Sequence, residues 1–236
     1  MVSSTLFTLL GLAAAAVAAP SQRRTLAIDD VVVFNRDGTS QIMKAAEFDA
    51  LEKAAPAPVS IESFNATSEP GLVRRGCPKS TEIQVLSDET FLNWDVAISP
   101  VLSSQGDTAA TIGVSKGYEI GNSVAIGSEI TIGDEDIVSL NLGMDLDMSW
   151  STSYESSLEF EIPANMFGVI VSQPYVRRVQ GNILKGCTSS PTKTSFMADT
   201  YESQSYGQLS WVKGVIRVCS SETYPIPYCI GEGQHR

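Results

Sequence analysis

The feature of this sequence that most constrains its fold is a two-residue alternation through residues 138–162. Apolar side chains occupy most even-numbered positions of this run, while Ser, Asn, Gly, Asp and Glu occupy the odd positions. A second run, over residues 109–133, alternates in the same way. Because successive side chains of a β-strand point to opposite faces, this period predicts strands with one apolar and one polar face.

A short polar turn lies between the two alternating runs. Residues 133–136 read Gly-Asp-Glu-Asp, and a glycine-led turn between alternating runs is typical of a β-hairpin. Unbroken strands of about 20 residues would be over ~60 Å long. We therefore expect an elongated molecule, with glycines that also break the runs into shorter strands: Gly117, Gly121, Gly127 and Gly143.

The apolar face of these runs has two interpretations. Leu, Met and Trp make it bulky between residues 142 and 150, and such a ribbon would promote aggregation if it were exposed to water. This favours the core of a sandwich. The alternative is a membrane hairpin with lipid on one face and water on the other. We predict an all-β fold, an elongated antiparallel β-sandwich with a long amphipathic central hairpin and two disulfides.

The N-terminal residues predict export from the cell. Residues 6–19 form an apolar run that ends in Val17-Ala18-Ala19, which fits cleavage of a signal peptide after residue 19. The run is too short to cross a bilayer, and no later segment has ~20 consecutive apolar residues. We expect a secreted, extracellular protein.

A dibasic pair divides the remaining chain. Arg74 and Arg75 separate a cysteine-free stretch containing "AAPAPVS" from a stretch with every cysteine. This predicts a pro-segment at residues 20–75 and a mature β domain at 76–236, the alternative being an exposed basic pair in a linker. The pro-segment reads as a strand, a turn at 35–38 and a helix from Ser40. It also holds the single N-glycosylation sequon, at Asn65.

Four cysteines predict two disulfides rather than a metal site. They fit an oxidising compartment, no two are spaced as CxxC, and three pairings are possible. We favour a bridge around the loop between Cys219 and Cys229. Elimination then pairs Cys77 with Cys187.

The charge of the predicted mature domain limits its partners. Residues 76–236 contain nine Lys and Arg against nineteen Asp and Glu, a net charge of −10. Such an acidic surface argues against nucleic acid and against electrostatic recruitment to anionic lipid.

The sequence offers little for catalysis. His235 is the only histidine and lies beside the C-terminus, where chains are usually disordered. A hydrolase would have to use carboxylates of the polar face such as Asp145, Asp147 and Glu155. Clustered carboxylates more often form a solvated face, and no EF-hand spacing is present. We expect no enzyme activity, no metal and no cofactor.

The most distinctive polar stretch is "SQPYVRRVQGN". Arg177 and Arg178 form a basic pair beside Tyr175 in an otherwise acidic molecule. These residues are candidates for contact with an anionic ligand or a sugar that stacks on Tyr175. Alternatively, an arginine pairs with carboxylates of the polar face, since neighbouring strand residues point in opposite directions.

Several stretches together resemble a family of small secreted fungal effector-like proteins: "RRGCPKSTEIQVLSDETFLNWDVAISPVLSS", "FGVIVSQPYVRRVQGNILKGC", "YGQLSWVKGVIRVC" and "YPIPYCIG". The resemblance covers most of residues 74–231. It implies a secretory protein with a pro-segment that acts at a host or competitor surface. The family brings no catalytic residues.

The alternation over about residues 111–174 also resembles the aerolysin-type β-pore-forming toxins. We expect a non-enzymatic effector-like protein that binds an unknown extracellular ligand or surface: a glycan, a protein or a membrane. The first alternative is an aerolysin-like membrane-damaging protein, activated by cleavage after Arg75 and oligomeric only in that case. The second alternative is a carboxylate-based hydrolase.

Overall fold

The computed structural model describes residues 25–35, 39–54, 77, 79–127, 133–153, 155–207 and 209–236. The secondary-structure elements of these residues are, in chain order, β1 (Asp30–Phe34), β2 (Ser40–Lys44), α1 (Ala45–Ala54), β3 (Lys79–Leu92), β4 (Val96–Ala97), β5 (Leu102–Ser104), β6 (Ala110–Val114), β7 (Glu119–Gly121), β8 (Ser123–Ile126), α2 (Asp134–Leu142), β9 (Ser149–Ser151), β10 (Glu155–Ile162), β11 (Met166–Cys187), β12 (Ser190–Thr200), β13 (Ser203–Tyr206), β14 (Leu209–Val212), β15 (Gly214–Ser221), β16 (Ile226–Pro227) and β17 (Gln234–His235). The predicted all-β, antiparallel class is confirmed.

Strand β11 is the axis of the main sheet. It has 22 residues, which corresponds to about 70 Å at ~3.3 Å per residue. Its first half pairs with β15 on one side and with β4 and β5 on the other. Its second half pairs with β12 and β3. One strand therefore connects two differently covered parts of the molecule.

Pro174 does not end this strand, although the sequence suggested a stop there. It stands opposite Gly214 at the last pair between β11 and β15, and Tyr175 opposite Leu92 begins the pairing with β3. Proline has no backbone N–H to donate to a neighbouring strand. Pro174 lies where the pairing of β11 with β15 ends and its pairing with β3 begins, and a sheet tolerates proline at such a position.

A second layer covers the first half of β11 and makes this end of the molecule a sandwich. Strands β6 and β10 pair with each other, as do β7 and β9, and β13 and β14. Their side chains meet those of β1, β11 and β15 in the largest core, where Trp211, Phe160 and Ile170 are fully buried. The apolar residues of β6, β9 and β10 thus lie in the core of a sandwich, as predicted, whereas Leu140 and Met148 of the second run are 81% and 41% exposed.

The two alternating runs do pair antiparallel, through β6 with β10 and β7 with β9. The predicted tight turn at residues 133–136 is wrong, because these residues open helix α2. Its three acidic residues lie in the first turn, where the helix dipole stabilises negative charge. A two-residue alternation also places apolar residues four positions apart, such as Val138 and Leu142, and two such residues lie on the same face of a helix. They pack on the sheet with Val179 and Ile183.

The predicted pro-segment is part of the main sheet. Strand β1 lies between β2 and β15, and Val31 and Val32 are fully buried. The helix predicted from Ser40 begins instead at Ala45, because β2 occupies residues 40–44 and pairs with β1. Full burial of an aliphatic side chain contributes roughly 1.5–3 kcal/mol relative to exposure. This segment therefore contributes to the stability of the fold.

Both predicted disulfides are present. Cys219 bonds Cys229 across a separation of 10 residues, and Cys77 bonds Cys187 across 110 residues. The second bridge fixes the start of β3 to the end of β11, beside the Cys187–Lys79 pair of the ladder. Within the described ranges, neither helix is long and apolar enough to cross a membrane.

Candidate functional site

The second half of β11 has one covered face and one open face. Val179 and Ile183 point to the covered face, beneath α2. Arg178, Gln180 and Asn182 point to the opposite side, which we call the open face. Gln180 and Ser195 are exposed on this side, and the sheet continues there through β3, β12 and β8.

A groove of about 440 Å³ crosses the open face. Its polar lining comes from Gln180, Asn182 and Ser195, and its apolar lining includes Leu86 and Met197. Small-ligand sites typically have volumes of about 300–1,000 Å³. No charged side chain lines the groove among the residues described by the structure. The described lining of the groove therefore combines amide and hydroxyl groups with apolar surface.

Local sequence features shape the floor of this groove. A Cβ at Gly181 would lie 2.3 Å from the Gln84 carbonyl oxygen and 2.7 Å from the Phe196 ring, so only glycine allows this close packing. The ladder between β3 and β11 shifts register between Gln180 and Gly181, which leaves Leu86 as the extra residue of a bulge. Leu86 is accordingly 43% exposed at the groove.

The groove floor is held by a side-chain hydrogen bond. Asn182 is only 4% exposed and donates through Nδ2 to Gln84 Oε1 at 3.2 Å. Gln180 and Ser195 are exposed beside it. A buried polar side chain needs a partner, and the contact with Gln84 orients the Asn182 amide. The Asn182 amide is thus oriented on the floor before any ligand arrives.

Arg178 borders the open face, and the carboxylate of Asp199 compensates its positive charge. Its guanidinium donates to both carboxylate oxygens of Asp199, at 2.7 Å and 2.6 Å. It also lies 5.3 Å from the centroid of the Phe91 ring. The hydrogen bonds to Asp199 raise the pKa of Arg178. A bidentate pair of this kind positions the arginine firmly and leaves little net charge for an anionic ligand.

The other two predicted binding residues point away from the groove. Arg177 donates to both carboxylate oxygens of Asp88, at 2.8 Å and 2.6 Å, on the side of the sheet that carries Val179. Tyr175 donates its hydroxyl hydrogen to Glu52 Oε1 of α1 at 3.0 Å. The structure thus separates the three candidates, and it pairs each arginine with an aspartate.

The Arg177–Asp88 pair makes a small, acid-sensitive contribution to stability. The hydrogen bond from Arg177 holds the pKa of Asp88 below its ordinary value of 3.8. A lowered folded-state pKa gives stability that is present above about pH 4 and is lost as the pH falls through the folded value. We expect Asp88→Asn to lower the free energy of unfolding at pH 7 by about 0.2–1 kcal/mol, as for other exposed pairs.

Urea unfolding of the wild type and of Asp88→Asn at pH 7 and at pH 3 measures this contribution. The difference between the two proteins should shrink at pH 3. An equal difference at both pH values would show that the carboxylate charge is not its source.

A buried carboxylate fixes the C-terminal residues. The Asp95 side chain is fully buried and accepts hydrogen bonds from Gln173 Nε2 at 2.7 Å and from the backbone N–H groups of Cys229 and Ile230. His235 Nε2 lies 3.4 Å from Asp95 Oδ2. The expected terminal disorder of His235 is therefore wrong, because β17 pairs with β16 and buries the ring against Tyr228.

The structure describes the positions of the carboxylates named in the hydrolase hypothesis and of one group of possible metal ligands. Asp145 and Asp147 are exposed in the loop after α2, where Asp145 Oδ1 accepts from the Asp147 backbone N–H at 3.1 Å. Asp95, Cys219 and Cys229 bring possible metal ligands together. The two sulfurs are bonded to each other, so they are not free thiolates. Glu155 begins β10, with its backbone opposite Val114.

Three further predicted residues lie outside the described residues: Asn65, Arg74 and Arg75. Glycosylation and dibasic cleavage stay predictions from the sequence, as does the signal peptide at residues 1–19.

Comparison with known proteins yields no relative: no family model, no curated protein and no solved structure matches this chain. The fold and the groove define its class as a disulfide-bonded, antiparallel all-β protein with an open polar sheet face.

Proposed function

We propose that this chain is a secreted, non-enzymatic binding protein whose groove holds an uncharged, hydroxyl-rich ligand, namely a glycan at a host or competitor surface. The observation that carries the proposal is the open face of the long sheet. An amide and hydroxyl surface is built there on the paired strands β11 and β12, while the first half of β11 is buried between the two layers.

The chemistry of the groove matches a sugar ring. Gln180, Asn182 and Ser195 supply hydrogen-bond donors and acceptors for hydroxyl groups. Leu86 and Met197 supply apolar surface for the C–H face of a ring. The ion pair of Arg178 with Asp199 borders this region without a net charge, which favours a neutral glycan over an anionic one.

Secretion is consistent with this proposal. The two disulfides fit an oxidising compartment, and the sequence begins with the features of a signal peptide. The resemblance to secreted fungal effector-like proteins supports the same location.

A tryptophan placed in the groove tests the proposal. Ser195 is exposed and lines the groove, so Ser195→Trp would fill it without entering the core. We expect the wild type to bind neutral oligosaccharides of glucose, mannose or N-acetylglucosamine on a glycan array. Ser195→Trp should weaken that binding at least tenfold, measured by calorimetry with the strongest array ligand.

Thr192→Trp is the matched control, because Thr192 is an exposed residue of the same strand that points to the other face. It should bind as the wild type does. Equal weakening by both variants, or no binding to any neutral glycan, would contradict the groove as a glycan site.

A membrane-damaging function is the second candidate, favoured by one observation on α2. The residues of this helix alternate with a β-strand period, and as a helix they leave Leu140 81% exposed. In a strand, Val138, Leu140 and Leu142 would share one apolar face. A sequence whose local pattern disagrees with its structure has a competing conformation within reach.

Dye release from neutral liposomes separates the two candidates. The pore hypothesis, in which cleavage after Arg75 activates the protein, requires leakage by the cut chain and none by the uncut chain. Leakage should then fall when Leu140→Asp interrupts the apolar face. The glycan-binding proposal predicts no leakage from either form.

A further inference from the structure

The predicted pro-segment is an internal part of the sheet. Strand β1 pairs with β2 on one side and with β15 on the other. Val32 faces the main core and Val31 packs with Phe48 and Val215 in a smaller cluster on the other face. Strand β1 therefore has the contacts of a central strand, with a hydrogen-bonded neighbour on each side and apolar packing on each face.

Leu26 extends this hold to the second layer. It is 1% exposed, its backbone N–H donates to the Glu159 carbonyl at 2.8 Å, and its carbonyl accepts from the Glu161 N–H at 2.9 Å. Residues 25–34 therefore contact β15 in one layer and β10 in the other.

Helix α1 adds polar contacts on the same sheet. Asp49 Oδ1 accepts from Arg217 at 3.0 Å, and Glu52 Oε1 accepts from Tyr175 at 3.0 Å. Phe48 is buried in a cluster with Val31, Val33 and Val215. Helix α1 thus contacts Tyr175 of β11 and Arg217 of β15 through hydrogen-bonded side chains.

We infer that residues 25–54 stay bound after the chain is cut at Arg75, so that the processed protein is a non-covalent assembly of two chains. The inference rests on the predicted dibasic cleavage and is independent of the ligand in the groove. No cysteine precedes Cys77, so the smaller chain would be held by non-covalent contacts alone.

Loss of the segment would expose surface that a folded protein avoids. Val215, Ile216 and Val218 of β15 are buried, and removal of β1 would leave the β15 edge unpaired. An exposed apolar edge strand recruits other strands and promotes aggregation. Strand β1 already pairs with this edge in a defined register and with complementary side chains. We therefore expect β1 to stay on the β15 edge after cleavage.

The test uses the full chain with one added protease recognition sequence, inserted between Pro58 and Val59. After cutting, native mass spectrometry and size-exclusion chromatography report whether the two fragments stay together. We expect one complex with the mass of both fragments, which separates only under denaturing conditions. A free N-terminal fragment, whether the remainder stays folded or aggregates, would overturn the inference.

Two matched variants locate the interaction. Val32→Asp puts a charge into the core and should release the fragment on cutting, whereas Ile42→Asp changes a 36% exposed side chain of β2 and should not. Arg217→Ala removes the contact with Asp49 and is milder, so it stays informative if Val32→Asp does not fold. We expect Arg217→Ala to release the N-terminal fragment severalfold faster than the wild type, measured as its exchange with isotope-labelled peptide 25–54. An unchanged release rate would show that the contact between Arg217 and Asp49 does not help to hold the fragment.

Because the added site replaces natural processing, the result does not depend on cleavage at Arg74 and Arg75. Sequencing the N-termini of the secreted protein tests that cleavage separately. Glycan binding is measured on the uncut chain, so failure of either proposal can be told from failure of the other.

Discussion

Replacement of Asp95 by alanine should cost about 3–5 kcal/mol of folding free energy, because it removes the acceptor of three hydrogen bonds and a buried donor without its acceptor costs about 1–3 kcal/mol. The Asp95 carboxylate has no exposed surface. It accepts from Gln173 Nε2 and from the backbone N–H groups of Cys229 and Ile230. Gln173 is fully buried, whereas the hydrogen bonds from Cys229 and Ile230 are partly buried, so the loss of the acceptor costs most at Gln173.

Urea unfolding of the full chain measures this cost as a fall in the midpoint concentration. The control is Asp107→Ala, which removes an exposed carboxylate from a loop and should shift the free energy by less than about 0.5 kcal/mol. Similar midpoints for Asp95→Ala and the wild type would contradict the proposed role of Asp95 in fixing the C-terminal residues.

Trp211→Ala should also cost about 3–5 kcal/mol, the usual range for truncating a buried Trp. Trp211 is fully buried in the largest core. Its Nε1–H donates to Ser172 Oγ at 2.9 Å, so truncation leaves both a cavity and a buried hydroxyl that has lost a partner.

Thermal and urea unfolding of Trp211→Ala should show this loss at unchanged disulfide content. Trp94→Ala is the control, because the Trp94 side chain is 55% exposed and should contribute below about 1 kcal/mol. Equal destabilisation by the two substitutions would mean that the core is not centred on Trp211.

The fold class was accessible from the sequence because alternation reports directly on half-buried strands. Ile112 and Val114 of β6, and Leu158, Phe160 and Ile162 of β10, face the core as the pattern predicts. The disulfides were accessible because one short loop made the first pairing favourable and left a single alternative for the second.

Helix α2 was not accessible, because the period of its sequence favours a strand. Its tertiary contacts with Val179 and Ile183 prevail over the local pattern, and Gly133 and Gly143 bound it in left-handed conformations. The strand end predicted at Pro174 was wrong for a similar reason. The exchange of neighbours along β11 that accommodates it depends on residues about 40 and 80 positions away.

The candidate site was only partly accessible. The sequence singled out the stretch that contains Gln180 and Asn182, but chose the charged residues in it. Charge is conspicuous in an acidic chain, whereas the partners Asp88 and Asp199 that neutralise it lie on other strands. Ser195 and Leu86 carry no local signal at all, since they join the groove only through strand pairing and a bulge.

Hydrogen–deuterium exchange on the full chain, with and without the neutral oligosaccharide that binds most strongly on the array, shows where on the protein that oligosaccharide binds. The glycan-binding proposal predicts added protection confined to the second half of β11, to β12, to β8 and to β3 around Leu86, where the groove lies. Protection confined to α1, α2 or the C-terminal strands, or no protection with any neutral oligosaccharide, would contradict it.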